Sequence, residues 1–240
     1  MKCAIHQPQF MPWLGYIDKI ARADRFVFLD DVQFKKNEFQ NRNKILVAGA
    51  RRWMTVPVGF RFGDTIGKVA VVADVKWRTK LIRTVELNYR ETPFFDTFMP
   101  GFAELIGRSW PNLAELNMAS VRWLLEAFGI EAGLCRSSEF EGLSQDPTGR
   151  LVDLCVRTGA DTYLSGSGGR QYLDSRQFEE AGVALEFQGF AHPVYPQVNG
   201  SGEFVSHLSA LDAVFQVGGG VAGRRAAGLE QAGGEDPMTG

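Results

Sequence analysis

The sequence predicts an α/β protein: a parallel or mixed sheet flanked by helices in three layers, with a helix-rich middle section. Three observations predict it. Residues 2–29 run strand, loop, helix, strand, the size of one βαβ unit, which favours parallel strands joined by a crossover. The same rhythm returns between Leu134 and Phe187. Between these two stretches lie long apolar stripes at helical spacing.

Lys2–Ile5 forms the first short strand, and Pro8 and Pro12 keep the stretch from His6 to Trp13 out of a central strand or a helix. Leu14, Ile17, Ile20 and Ala21 recur at helical spacing, and Arg25–Leu29 reads as a buried strand ending at Asp30 and Asp31. Lys44–Val47 and Arg52–Val58 flank a turn at Ala48-Gly49-Ala50, with Ile66–Val72 as a third strand. Helices are expected over Val75–Leu87, Phe94–Ile106 and Leu113–Phe128, the last stopped by Gly129. Leu134–Ser137 is a short strand. Pro147–Arg157 is a helix capped by Asp146, with proline just inside the cap. Thr162–Leu164 is a strand that runs into the glycine-rich turn Ser165-Gly166-Ser167-Gly168-Gly169. A polar helix, a strand over Val183–Phe187 and a helix over His207–Val217 complete one domain over residues 1–218. Residues 219–240 are dominated by Gly and Ala and offer little apolar surface to bury, which predicts a disordered tail.

At 240 residues, 45% hydrophobic and 22% charged, the chain is not a disordered segment, a collagen-like repeat or a disulfide scaffold. Its net charge of −2 gives no global attraction to polyanions, so binding one would need a local basic patch. No apolar run approaches the roughly 18 residues of a bilayer span, and the first residues lack the apolar core of a secretory signal. Cys3, Cys135 and Cys155 are far apart in sequence and are read as reduced thiols. A cytoplasmic protein without membrane insertion is expected. The Cys and His residues have no zinc-ligand spacing, so no metal site is assigned, and the sequence names no cofactor.

The residues that suggest chemistry stand at predicted strand ends, where open parallel sheets bind ligands. His6, Gln7 and Gln9 bring donors and acceptors to the first such end, with Trp13 as a wall, and His6 suits proton transfer near neutral pH. The same string also suits a turn shaped by the prolines, with His6 bonded to backbone. Asp30 and Asp31 end the second strand, where a carboxylate can orient a hydroxyl or act as a base. Gln33 and the charges of Lys35 and Lys36 follow, and a capping turn with solvated lysines is the competing account. Asn41, Arg42 and Asn43 could grip an anionic or polar ligand or form a polar turn before a strand. Ser165, Gly166 and Gly168 open a candidate anion nest that Arg170 could complete, although no Walker lysine follows. His192, Tyr195 and Gln197 repeat the His, Gln, proline and aromatic chemistry of the opening string.

The strings IHQPQFMPWLGYIDKIARADRFVFLDDVQFKKNEFQNRNKI, RRWMTVPV, YRETPFF, DTYLSGSGGRQYLD, FQGFAHPVYPQ and LSALDAVFQVG, in this order from Met1 to about Gly218, resemble the WbqC-like family. Lys19 and Tyr172 also fit its recurring strings. Phe39 stands where the family often has Trp, which keeps an aromatic wall but loses an indole N–H. The resemblance implies a bacterial setting in surface-polysaccharide biosynthesis, including O-antigen, or in specialised metabolism. Pro12-Trp13-Leu14-Gly15-Tyr16 is also laid out like the HxGH entry of nucleotidyltransferases, but both histidines are absent, which would leave any such role to His6 and Lys19. The expected substrate is small and anionic, phosphorylated or nucleotide-linked. The expected reaction is acyl or aminoacyl transfer to an amine, with His6, Asp31 and Lys36 as catalytic residues and the other named residues binding substrate. Aminoacyl-tRNA stays open as the donor. The alternatives are an ATP-dependent ligase or nucleotidyltransferase-like enzyme and a non-catalytic carbohydrate- or nucleotide-binding accessory protein.

Overall fold

A computed structural model describes residues 1–200 and 202–229. The chain opens with β1 (Lys2–His6), α1 (Leu14–Ala21) and β2 (Arg25–Phe28). An insertion follows: the hairpin β3 (Arg42–Val47) and β4 (Ala50–Thr55), the short pair β5 (Val58–Gly59) and β6 (Ala70–Val71), and the helices α2 (Val75–Tyr89), α3 (Phe95–Gly107) and α4 (Leu113–Phe128). Then come β7 (Gly133–Arg136), α5 (Pro147–Arg157), β8 (Thr162–Ser165), α6 (Ser175–Glu180) and β9 (Ala184–Phe187), and last α7 (Ala210–Val217) and α8 (Gly220–Ala226).

Five strands form one sheet in the order β7-β2-β1-β8-β9, and all four pairings are parallel. Side chains alternate across it, as the two-residue period of a strand requires. Cys3, Ile5, Val27 and Tyr163 pack with Leu151, Leu154 and Cys155 of α5 and Phe178 of α6. Ala4, Phe26, Phe28 and Leu164 pack on the opposite face, with α1 and the inserted helices. The fold is therefore α/β with a helix-rich insertion, as the sequence predicts. Near-continuous apolar strands are what a sheet covered on both faces demands.

The local signals that set the elements are visible. The Asp146 carboxylate accepts the Gly149 N–H at 2.7 Å, and Pro147 occupies the first turn of α5. Asn112 caps α4 through the Glu115 N–H at 2.9 Å, and Gly129, at φ 63°, ends that helix in the left-handed region.

Three stretches depart from expectation. Ile66–Val72 is a 3-10 turn over Ile66–Lys68 followed by the two-residue β6. Its apolar residues do not alternate, because Ile66 and Val69, three apart, are both buried while the Gly67 N–H bonds the Asp30 carbonyl at 2.9 Å. The last predicted helix starts at Ala210 rather than His207, since His207 has φ 57° and Ser209 provides the cap. Residues 220–226 form α8 where disorder is expected, and Ala227 and Leu229 are buried. The absence of side chains permits this close packing: a Cβ on Gly219 would lie 2.0 Å from the Ala127 carbonyl oxygen. The rest of the expected tail, residues 230–240, lies outside the described residues.

Candidate active site

The strand order reverses direction between β1 and β8. In a parallel sheet this is the position where the two adjoining connections leave in opposite directions and open a crevice beyond the strand ends. A cavity of about 940 Å³ occupies that crevice. β1 brings His6 and Gln7 to it, the segment after β2 brings Asp31 and Gln33, and α1 brings Lys19. β8 and its following turn bring Ser165, Gly166, Gly168 and Tyr172, and α5 brings Arg150. Residues distant in sequence thus converge because three parallel strands end on one edge.

His6 is held in a defined state. Its Nδ1 lies 3.0 Å from the Gln7 carbonyl oxygen. A carbonyl only accepts, so the neutral ring carries its proton on Nδ1 and leaves Nε2 as an acceptor. Burial, reinforced by the charge of Lys19, lowers its pKa to about 4, so the imidazole is neutral at pH 7. The edge of the ring meets Tyr16, with centroids 5.0 Å apart, and the Tyr16 hydroxyl donates to the same Gln7 carbonyl at 3.1 Å. Gln40 holds the Gln7 side chain through a 2.7 Å bond.

Lys19 is buried and donates from Nζ to the Ile5 carbonyl at 2.8 Å. Burial lowers its pKa to about 8. Asp31 accepts from Arg150 Nη2 and from the Ser137 hydroxyl. Arg150 lines the cavity, and its Nε is buried without a hydrogen-bond partner.

The glycine-rich turn departs from the expected anion nest. A nest alternates right- and left-handed residues, but Gly166, Gly168 and Gly169 all avoid positive φ, and Ser167–Gln171 is a 3-10 turn. The glycines act instead through their missing side chains. A Cβ on Gly169 would lie 2.1 Å from Ser165 Oγ, whereas Gly166 and Gly168 line the cavity with nothing within 4 Å of a Cβ.

The other expected site residues lie outside this cavity lining. Asp30 is buried and accepts from the Ser138 N–H at 3.1 Å and the Ser138 hydroxyl at 2.8 Å, tying β2 to the turn after β7. Lys36 is exposed, 6.0 Å from the Phe60 ring. Asn41 donates to the Val56 carbonyl at 3.2 Å and Asn43 to that of Met11 at 2.8 Å, so both brace backbone. Arg42 donates to the Asn37 carbonyl and lies over Trp53, and Arg170 lies over Phe187. Gln9 Oε1 is buried without a partner. Trp13 stacks with His192 and His207 and meets Phe190 edge-on at 5.4 Å. His192 accepts the His207 N–H at Nε2. Tyr195 and Gln197 both donate to the buried Asp212 carboxylate at 2.9 Å, a structural node joined by the Tyr89 hydroxyl.

Arg150 is the principal site residue that sequence reasoning misses. It follows its helix cap by four residues and looks like any surface arginine of an amphipathic helix. Only the sheet order, which sets α5 beside the crevice, distinguishes it.

A five-stranded parallel sheet with a cavity at its strand-order reversal defines the class: an open α/β protein with a crevice site. The comparisons with known proteins carry this further. The model of the WbqC-like protein family matches residues 7–221, and the chain belongs to that family. It is similar to Uncharacterized protein Rv1507c of Mycobacterium tuberculosis (strain ATCC 25618 / H37Rv), with 32% identity over 223 residues that cover 90% of this chain and 94% of that protein. No solved structure matches the chain.

Proposed function

We propose that the chain is a biosynthetic enzyme that transfers an acyl or aminoacyl group to the amine of a small anionic substrate, phosphorylated or nucleotide-linked. The observation that carries this reading is one cavity lining that combines a neutral imidazole acceptor, a buried ammonium and the Arg150 guanidinium. Arg150 holds the anionic part of the substrate, with Gly166 and Gly168 giving it room against bare backbone. The amine nitrogen attacks the acyl carbon, the new N–C bond forms, and His6 Nε2 takes the ammonium proton. Lys19 faces the negative charge that develops on the acyl oxygen. The bond to the donor's leaving group then breaks, and the proton on His6 leaves with that group. Asp31, paired with Arg150 and hydrogen-bonded by Ser137, sets the guanidinium rather than moving a proton. Lys36, exposed and outside the cavity, has no part in the step. A surface-polysaccharide or specialised-metabolite pathway suits such a substrate.

Steady-state product formation by folded His6→Ala and Asp31→Ala variants, with acyl donors and amino sugars, tests this reading. Loss of a general base costs about 10²–10⁴-fold in rate, so the His6 variant is expected to fall by that factor. The Asp31 variant is expected to raise KM more than it lowers kcat. Unchanged turnover in the His6 variant removes the mechanism.

A nucleotide-activating ligase is the second reading. It is favoured by the position of the crevice, since open sheets bind nucleotides where the strand order reverses. It predicts release of pyrophosphate or ADP with product, which simple acyl transfer does not.

A further inference from the structure

We propose that the β3–β4 hairpin and the loop carrying Phe60 and Phe62 form a docking face for an anionic lipid bilayer. Residues 33–62 contain seven Lys and Arg and one acid, Glu38, in a chain whose net charge is −2. Among the described residues, none of those seven cations is in an ion pair. Even with Glu38 inside the stretch and Asp64 just beyond it, positive charge is in excess there.

The antiparallel register places Lys44 opposite Trp53, Arg42 opposite Thr55 and Arg51 opposite Leu46, so these cations share one face of the hairpin. Arg42 lies 4.0 Å and Lys44 4.9 Å from the Trp53 ring centroid. The segment after β2 joins this face to the loop. Arg42 donates to the Asn37 carbonyl, Phe39 lies 6.1 Å from Trp53, and Lys36 lies 6.0 Å from Phe60. Phe62, between Arg61 and Gly63, is 97% exposed. The turn that presents it is held by the Asp64 carboxylate, which accepts the Arg61 N–H at 2.6 Å.

A fully solvated phenylalanine has no role in the core. Set among unpaired cations, it matches the chemistry of an interface that is apolar below and anionic above. The Trp53 ring already carries two cations, which occupy the surface a nucleobase would stack on, so lipid fits the face better than single-stranded nucleic acid. No described helix is long and apolar enough to cross a membrane, so the attachment is peripheral. Gln33, which lines the cavity, directly precedes Phe34. Docking through this face would bring the cavity rim towards the bilayer.

Cosedimentation of the full chain with phosphatidylcholine vesicles, with and without about a quarter phosphatidylglycerol, tests the proposal. The wild type is expected to pellet with the anionic vesicles at low salt, to stay in solution with phosphatidylcholine alone, and to be released by salt. Each basic side chain near an anionic surface contributes on the order of five-fold in partitioning. Arg51→Glu with Arg61→Glu should therefore abolish pelleting. Phe62→Ala should weaken it by about ten-fold, from the lost apolar insertion. All three positions are exposed, and an unchanged circular dichroism spectrum confirms that the variants fold. The proposal is overturned if the anionic vesicles do not pellet the wild type, if the variants pellet as well as the wild type, or if fluorescence anisotropy shows a short single-stranded RNA bound more tightly than the vesicles.

Discussion

His6 and Lys19 set the pH window of the proposed reaction. The imidazole must be neutral to accept a proton, and the ammonium must be charged to stabilise an oxyanion. With pKa values near 4 and 8, both conditions hold between those limits. The rate profile kcat/KM against pH is expected to rise with an apparent pKa of about 4 and to fall with one of about 8. A rising limb near the ordinary histidine value would contradict this assignment. The same shift has a consequence for stability. The unfolded chain protonates His6 at its ordinary value of 6.5, before the folded chain does. Folding stability contributed by this group therefore declines as pH drops from about 6.5 to about 4 and is complete above that range. Denaturant melts across this interval check the sign, because His6→Phe should flatten the slope.

At the residue scale, His6, Gln7, Asp31, Gln33, Ser165, Gly166, Gly168 and, through the family resemblance, Lys19 and Tyr172 stand out in the sequence and line the cavity. Position after a strand is the signal that singles most of them out. The same signal selects Asp30, Asn41 and Asn43, which bond backbone outside the cavity lining, because buried polar side chains that brace backbone have the same composition as ligand-binding ones. Tyr195 and Gln197 match a ligand-binding composition for a similar reason, since both are satisfied by the buried Asp212 carboxylate, and His192 by the His207 N–H.

Elements with complete local signals were read to the residue. Leu113–Phe128 and Pro147–Arg157 carry their own caps and stops. Removing one such signal has a definite cost: Asp146→Ala is expected to destabilise the chain, measurable as a lower urea midpoint with an unchanged slope. Ile66–Val72 is ambiguous in sequence because two buried apolar residues three apart fit a strand, a helix or a 3-10 turn equally well in so short a span. Residues 220–229 depart from the expected disorder because composition reports apolar bulk and is blind to the close packing that glycine allows. Truncation after Gly218 removes the buried Leu229 and Ala227, so it should lower Tm by several degrees relative to truncation after Leu229. Equal melting temperatures would show that α8 adds nothing to the fold.

At the scale of the whole molecule, alternation of strands and helices gave the α/β class but not the order of the strands. The order β7-β2-β1-β8-β9 depends on which side each crossover takes, and no local signal encodes that. Yet the order decides where the crevice lies and brings Arg150 to it. The central claim is that this crevice holds an anionic substrate through Arg150. Isothermal titration of the wild type and Arg150→Ala with nucleotides, nucleotide sugars and acyl phosphates tests it most directly, with Gly168→Phe as a second variant that fills the cavity. At least one of these compounds is expected to saturate the wild type. Its binding should weaken by about ten-fold or more without the guanidinium, the scale of a lost charge-assisted hydrogen bond, and should vanish in the filled variant. Equal affinity in all three proteins, or no binding by any compound to the wild type, would contradict the account.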